Sequence, residues 1–214
     1  MSRTAPCYSA EDYYEFFNID YSKKTILDIG SSVGSFKKSP RFQTSASTLS
    51  KAKKYTSIDI DPASGADVIA DAHKLPFKDG EFDIIIANNV IEHFYDPRQA
   101  VKEMKRVLNK GGQLYFTIPF MHPVHEAPHD FQRLTRFGLD HLFDEFKDVE
   151  IHARGGVFSA IANFEFIATK VLNGLGIGNL VRAVLYPMLW LMVQLDRFDK
   201  TEAFPRAYFG RMKK

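Results

Sequence analysis

The chain has 214 residues, 45% hydrophobic and 25% charged, a globular composition that excludes disordered and fibrous classes and leaves room for one α/β domain with a full core. Cys7 is the single cysteine, which excludes an intrachain disulfide and a thiolate zinc cluster and fits a reducing, cytoplasmic setting. The net charge of +2 is uneven: residues 1–151 hold 19 Lys+Arg against 22 Asp+Glu, and residues 152–214 hold 9 against 4.

The N-terminus, MSRTAPCYSAEDYYEFF, places acids and aromatics where a signal peptide needs a basic end and an apolar run. Ser9 with Asp12 resembles a capping box for a short helix with Tyr13, Tyr14, Phe16 and Phe17 on its apolar face. Thr25 to Ile29 is a short apolar, β-branched run that reads as a buried parallel strand, and Gly30 to Gly34 follows as a small-residue turn. Pro40 and many Ser/Thr residues between Phe36 and Ser50 predict a short or irregular first crossover. Further strands are expected over Tyr55–Ile60, Ala66–Ala70, Phe82–Ala87 and Gln113–Ile118. Asp96-Pro97 should start a helix that Gly111-Gly112 ends.

After Pro119 comes a loop rich in His and Pro, then a helix capped by Thr135 and running through Phe146, and a strand over Asp148–Ala153. Two apolar helices fill Val157 to Leu195, and Ala207–Met212 returns as a last edge strand, so that the helical pair is inserted into a terminal hairpin. The longest uncharged run of this pair, Ala183–Leu195, is too short to span a membrane and contains Pro187. With Trp190 and Tyr186 beside Arg182, Arg197 and Lys200 the pair suits a membrane surface, and an ordinary lid or dimer contact accounts for the same pattern. No nucleic-acid motif is present, so the basic tail argues for an anionic surface rather than nucleic acid. Alternation of strand, helix and turn predicts one doubly wound, mostly parallel sheet.

Asp59 ends the second strand and Asp71 follows the third, both on the edge where the Gly30 loop opens. A carboxylate there accepts hydrogen bonds from both hydroxyls of a ribose, which makes the ligand a nucleoside. A dinucleotide fingerprint requires G-x-G-x-x-G, whereas Gly30 to Ser35 reads GSSVGS. Ser32 replaces the middle glycine, which disfavours NAD and suits a nucleoside without phosphates.

These motifs resemble the class I S-adenosylmethionine-dependent methyltransferases of the methyltransferase domain 11 type. LDIGSSVG resembles the glycine-rich first motif, SIDID the acidic second-strand motif, ADAHKLPF the adenine loop, and FDIIIANNVIEHFYDP with KEMKRVLNKGGQLYFTIP the fourth and fifth strand regions. The resemblance implies a Rossmann-like seven-stranded sheet with an antiparallel last strand and S-adenosylmethionine as cofactor. It also implies that Gly30 and Gly34 line the methionine end, Asp59 holds the ribose, Asp71 with Ala72 meets the adenine, and Asn88 flanks the sulfonium. Asp28, Ser32 and Ile60 complete the expected cofactor-binding set.

The acceptor is expected beside the loop after the fifth strand. There His125 or His129 is a candidate general base with Asp130 orienting an imidazole, and His93 is a second candidate. Resemblance to quinone-biosynthesis enzymes keeps Glu92 and His93 in view for a divalent ion, and no metal is assigned. The stretch ending PHDFQRLT, followed by Gly138 to Phe143 and the apolar basic tail, resembles methyltransferases of bacterial cell-surface glycan or lipid assembly. The expected reaction is O-methylation of a sugar, glycan or lipid-linked acceptor at the inner membrane face. A soluble metabolite as acceptor, or a silent S-adenosylmethionine-binding protein, are the alternatives, and a homodimer is compatible with either.

Overall fold

The computed structural model describes residues 16–17, 19–31, 49–172 and 176–214. Seven strands form one sheet: β1 (Thr25–Ile29), β2 (Lys54–Asp59), β3 (Val68–Ile69), β4 (Phe82–Asn88), β5 (Leu108–Pro119), β6 (Lys147–Arg154) and β7 (Ala207–Lys213). Their spatial order is β3-β2-β1-β4-β5-β7-β6. β7 runs antiparallel to both of its neighbours, and the other pairs are parallel.

Strands β1 and β4 are apolar in both directions because the sheet is covered on both faces. On one face Leu27, Ile29, Ile85, Leu114 and Phe116 pack against Ala100, Val101 and Met104 of helix α1 (Pro97–Val107). On the other, Ile26, Ile84, Ile86 and Tyr115 pack with Phe17, Tyr21, Leu49 and Phe209. Asp96 caps α1 by accepting the Gln99 N–H at 3.1 Å, with Pro97 at the first helical position as its fixed φ favours. Helix α2 (Arg136–Leu142) is capped by the Thr135 hydroxyl. Between β6 and β7 stand two long helices, α3 (Val157–Val171) and α4 (Gly178–Val193).

Four expectations are corrected. β7 is not an edge strand: it is threaded between β5 and β6, leaving β6 at the edge. Tyr208, Phe209 and Met212 are buried, and a Cβ on Gly210 would lie 2.3 Å from the Glu150 carbonyl oxygen, so only glycine fits this interior strand. The glycine pair does not end α1, which stops at Val107; β5 starts at Leu108 and contains Gly111 and Gly112, with an irregular register opposite Phe82 to Ile84. Helix α2 stops at Leu142 rather than Phe146, because the chain must turn before entering β6. The third strand contracts to two residues. The expected N-terminal helix up to residue 15 and the first crossover up to residue 48 lie outside the described residues.

Candidate active site

The carboxyl ends of β1, β2 and β4 and the turn after β3 make one edge, as parallel connection dictates. Gly30 leaves β1 with φ +72°, and a Cβ there would lie 2.5 Å from Val90 Cγ2, so glycine alone lets the chain turn this closely under the loop after β4. The turn is latched to β2, with Gly30 and Ser31 N–H both donating to the Ile58 carbonyl at 2.9 and 3.0 Å.

At the end of β2, Asp59 Oδ1 accepts the Asp61 N–H at 2.9 Å, while among the described residues nothing donates to Oδ2. Ile60 beside it is 68% exposed. Asp71 Oδ1 accepts the His73 N–H at 2.9 Å and lies 2.5 Å from His73 Nδ1. Burial raises the Asp71 pKa, but the hydrogen bonds from the His73 backbone and ring outweigh it, and the carboxyl is held below its ordinary range. Asn88 Oδ1 accepts the Thr117 hydroxyl at 2.7 Å, at the end of β4.

Next along the same edge, a cavity of about 350 Å³ opens among Asn89, Glu92, Met121, Asn163, Arg154 and Arg206, with His93, His122 and His125 in its wall. Glu92 sits in a 3₁₀ turn (Ile91–His93), and its carbonyl accepts the N–H groups of Phe131 and Gln132, tying the long loop after β5 to β4. Its side chain is 0% exposed, and among the described residues neither carboxyl oxygen has a hydrogen-bond partner. Burial, only partly offset by the Arg133 charge, pushes its pKa up to about 8.

Two imidazoles face this carboxyl. His93 Nδ1 lies 2.7 Å from the His129 carbonyl, so in the neutral ring Nδ1 carries the proton and Nε2 is left as an acceptor, 3.8 Å from Glu92 Oε1. His125 Nδ1 faces Asp130 Oδ2 at 3.2 Å, and its Nε2 also lies 3.8 Å from Glu92 Oε1. Asp130 is fixed in turn by a bidentate pair with Arg133 at 2.6 and 2.7 Å, which with this hydrogen bonding holds its carboxyl far below the usual range. At 3.8 Å these are not hydrogen bonds.

The family model described as a methyltransferase domain matches residues 6–116, just over half of the chain. The chain belongs to this family. The methyltransferase domain uses S-adenosylmethionine (SAM), and the residues on the β1–β4 edge fit it: a glycine turn closed to any side chain, a carboxylate at the end of β2, an exposed aliphatic surface and a second carboxylate in line. Relatives include an uncharacterised methyltransferase of Mycobacterium sp. strain JLS, 32% identical over 99 residues, covering 42% of this chain and 36% of that protein. Norajmaline N-methyltransferase of Rauvolfia serpentina is 32% identical over 126 residues, covering 53% of this chain and 43% of that one. The chain spans less than half the length of these curated relatives. A SAM dependent methyltransferase from Archaeoglobus fulgidus shares the fold, with a TM-score of 0.59 at 13% identity over 95% of this chain and 92% of that one.

Within the methyltransferase domain, Gly30, Asp59, Ile60, Asp71, Ala72 and Asn88 all lie at strand ends on one edge or in the turn directly after β3. Asp28 is 2% exposed inside β1 and accepts the Tyr55 hydroxyl, tying β1 to β2. Ser32 and Gly34 lie outside the described residues. His93, His125 and Asp130 are brought together; His129 is not with them, since its imidazole is exposed and only its carbonyl reaches His93. Glu92 gained no catalytic reading from sequence, although the Glu-His pair marked its place. A carboxylate oxygen of Glu92 and one ring nitrogen each of His93 and His125 lie within 4.8 Å of one another, close enough to share a proton or a small cation. Arg154, Arg206 and Asn163 carried no sequence signal, because adjacency across β6, β7 and α3 is what gathers them.

Proposed function

We propose that the protein O-methylates a hydroxyl of a sugar, glycan or lipid-linked acceptor with SAM as donor. The observation carrying this is the convergence of His93 Nε2 and His125 Nε2 on the buried Glu92 carboxyl, in a cavity that begins one residue beyond Asn88. Asp59 receives the ribose hydroxyls, Ile60 and Ala72 flank the adenine, Asp71 accepts from its amino group, and Gly30 and Asn88 border the methionine end. When bound, SAM supplies a methyl group on a cationic sulfur and leaves as the neutral thioether S-adenosylhomocysteine (SAH).

The protein's own share is alignment and proton removal. As the acceptor hydroxyl takes the methyl group that SAM would supply, its proton would pass to an imidazole Nε2 of His93 or His125. Asp130 and the His129 carbonyl keep the two rings in the tautomer with Nε2 open. Glu92, neutral at pH 7, places no negative charge behind the two rings.

Exposed Leu180, Val184, Tyr186, Trp190 and Leu191 on α4, with Phe164 on α3, support contact of the helical pair with the membrane surface where such an acceptor resides. Among the described residues no helix is long and apolar enough to cross a membrane. The test is transfer of label from [methyl-³H]SAM into lipid, glycan and soluble fractions of a bacterial extract. Label in glycan or lipid is expected; label confined to soluble metabolites, or none with SAH binding intact, overturns the acceptor class.

A further inference from the structure

The cavity has a second end with a different chemistry. Arg154 closes β6 opposite Ala207, Arg206 directly precedes β7, and the Arg206 N–H donates to the Arg154 carbonyl at 3.0 Å; both arginines line the cavity. Among the described residues no carboxylate comes within ion-pair distance of the Arg206 guanidinium. Its Cδ packs where a Cβ on Gly155 would lie, 3.3 Å from that position, which fixes the stem while the head reaches the cavity mouth. Asp196 is the carboxylate that acts on it electrostatically, yet its oxygens are engaged by the Phe158 and Ser159 N–H groups and the Ser159 hydroxyl at the start of α3. Desolvation and the neighbouring Arg154 charge lower the Arg206 pKa against the opposing effect of Asp196, while the residue as a whole stays exposed at the cavity; it remains charged at neutral pH.

We propose that the acceptor carries a phosphate group, bound by Arg206 together with Arg154 and Asn163 at the β6–β7 end of the cavity. This deepens the methyltransferase reading and rests on it. Guanidinium is the side chain suited to phosphate, since its planar fork bonds two oxygens at once. The sheet also sets a ruler: β4 and β7 are two strand spacings apart, so the phosphate end stands roughly 10 Å from the Glu92 end. A phosphorylated sugar spans that separation, with one hydroxyl at the imidazoles and its phosphate at the arginines. The phosphate's source is either a soluble sugar phosphate or a lipid headgroup.

The test is calorimetric titration of the full chain, saturated with SAH, with glucose 1-phosphate and separately with glucose, alongside flotation on vesicles of phosphatidylcholine with and without phosphatidic acid. One phosphate-bearing probe should bind the parent and its uncharged counterpart should not; binding in the first arm marks a soluble source and in the second a lipid one. Arg206→Gln should raise the Kd, or the phosphatidic acid needed for half-flotation, at least tenfold, and Arg206→Lys threefold or less. SAH affinity, unchanged in both variants, reports that they are folded. Equal binding of the charged and uncharged probes, or the same phosphate affinity in parent and Arg206→Gln, overturns the proposal. Failure of the parent to bind SAH overturns the methyltransferase reading instead, and the probe titrations repeated without SAH then still decide the arginine site.

Discussion

His73 holds Asp71 from the side: Nδ1 lies 2.5 Å from Asp71 Oδ1, while Nε2 accepts the Asp96 N–H at 3.2 Å and the ring stacks on Tyr95 at 3.8 Å. A backbone N–H only donates, so Nε2 is bare, and the ring proton must sit on Nδ1 and point at the carboxylate. Replacing His73 with Phe keeps the stack and removes both hydrogen bonds. SAH affinity is expected to fall about fivefold to tenfold, the worth of one charge-assisted contact, whereas Asp59→Ala should cost about a hundredfold, close to 3 kcal/mol. Calorimetry with SAH checks both, and unchanged affinity in Asp59→Ala would remove that residue from the site.

Gly30→Ala places a methyl group against Val90 in a left-handed conformation. The strain and the clash together should lower stability by about 2–4 kcal/mol, measured by urea denaturation. Val90→Ala in the same chain relieves the clash but not the φ requirement, so it should restore part of the loss.

The raised Glu92 pKa has a stability signature. The folded state holds a proton on Glu92 up to about pH 8, the unfolded state only to about 4.5. Between those values the native state binds more protons, so this contribution is complete below pH 4.5 and declines as pH rises to about 8. Against Glu92→Gln, which cannot ionise, the parent should lose up to roughly 1.4 kcal/mol per pH unit over that window. Chemical denaturation of both proteins at pH 5, 6.5 and 8 measures the divergence; parallel curves would show that Glu92 is not protonated in the fold.

The imidazoles separate by geometry. His93→Gln and His125→Gln should each lower kcat by about a hundredfold or more with SAH affinity intact, as loss of a general base does. His129→Gln should leave kcat within about twofold, because the group that reaches His93 is the backbone carbonyl, which the substitution retains. A large loss in His129→Gln with no loss in the other two would reverse the assignment.

What the sequence determined by itself is what depends on neighbours along the chain. The apolar run Thr25–Ile29, the turn at Gly30, the Asp96-Pro97 helix start and the carboxylates closing β2 and following β3 are set by local periodicity and turn chemistry, and all are found where sequence places them. The tertiary structure alone decided the position of β7, because Ala207–Met212 is equally apolar as an edge or an interior strand and only pairing with both β5 and β6 distinguishes them. It also decided which histidine is exposed and why Glu92 holds its proton, since desolvation is imposed by a loop some 40 residues away. The meeting of Arg154 with Arg206 follows from a backbone hydrogen bond where β6 pairs with β7, a relationship that no local pattern encodes.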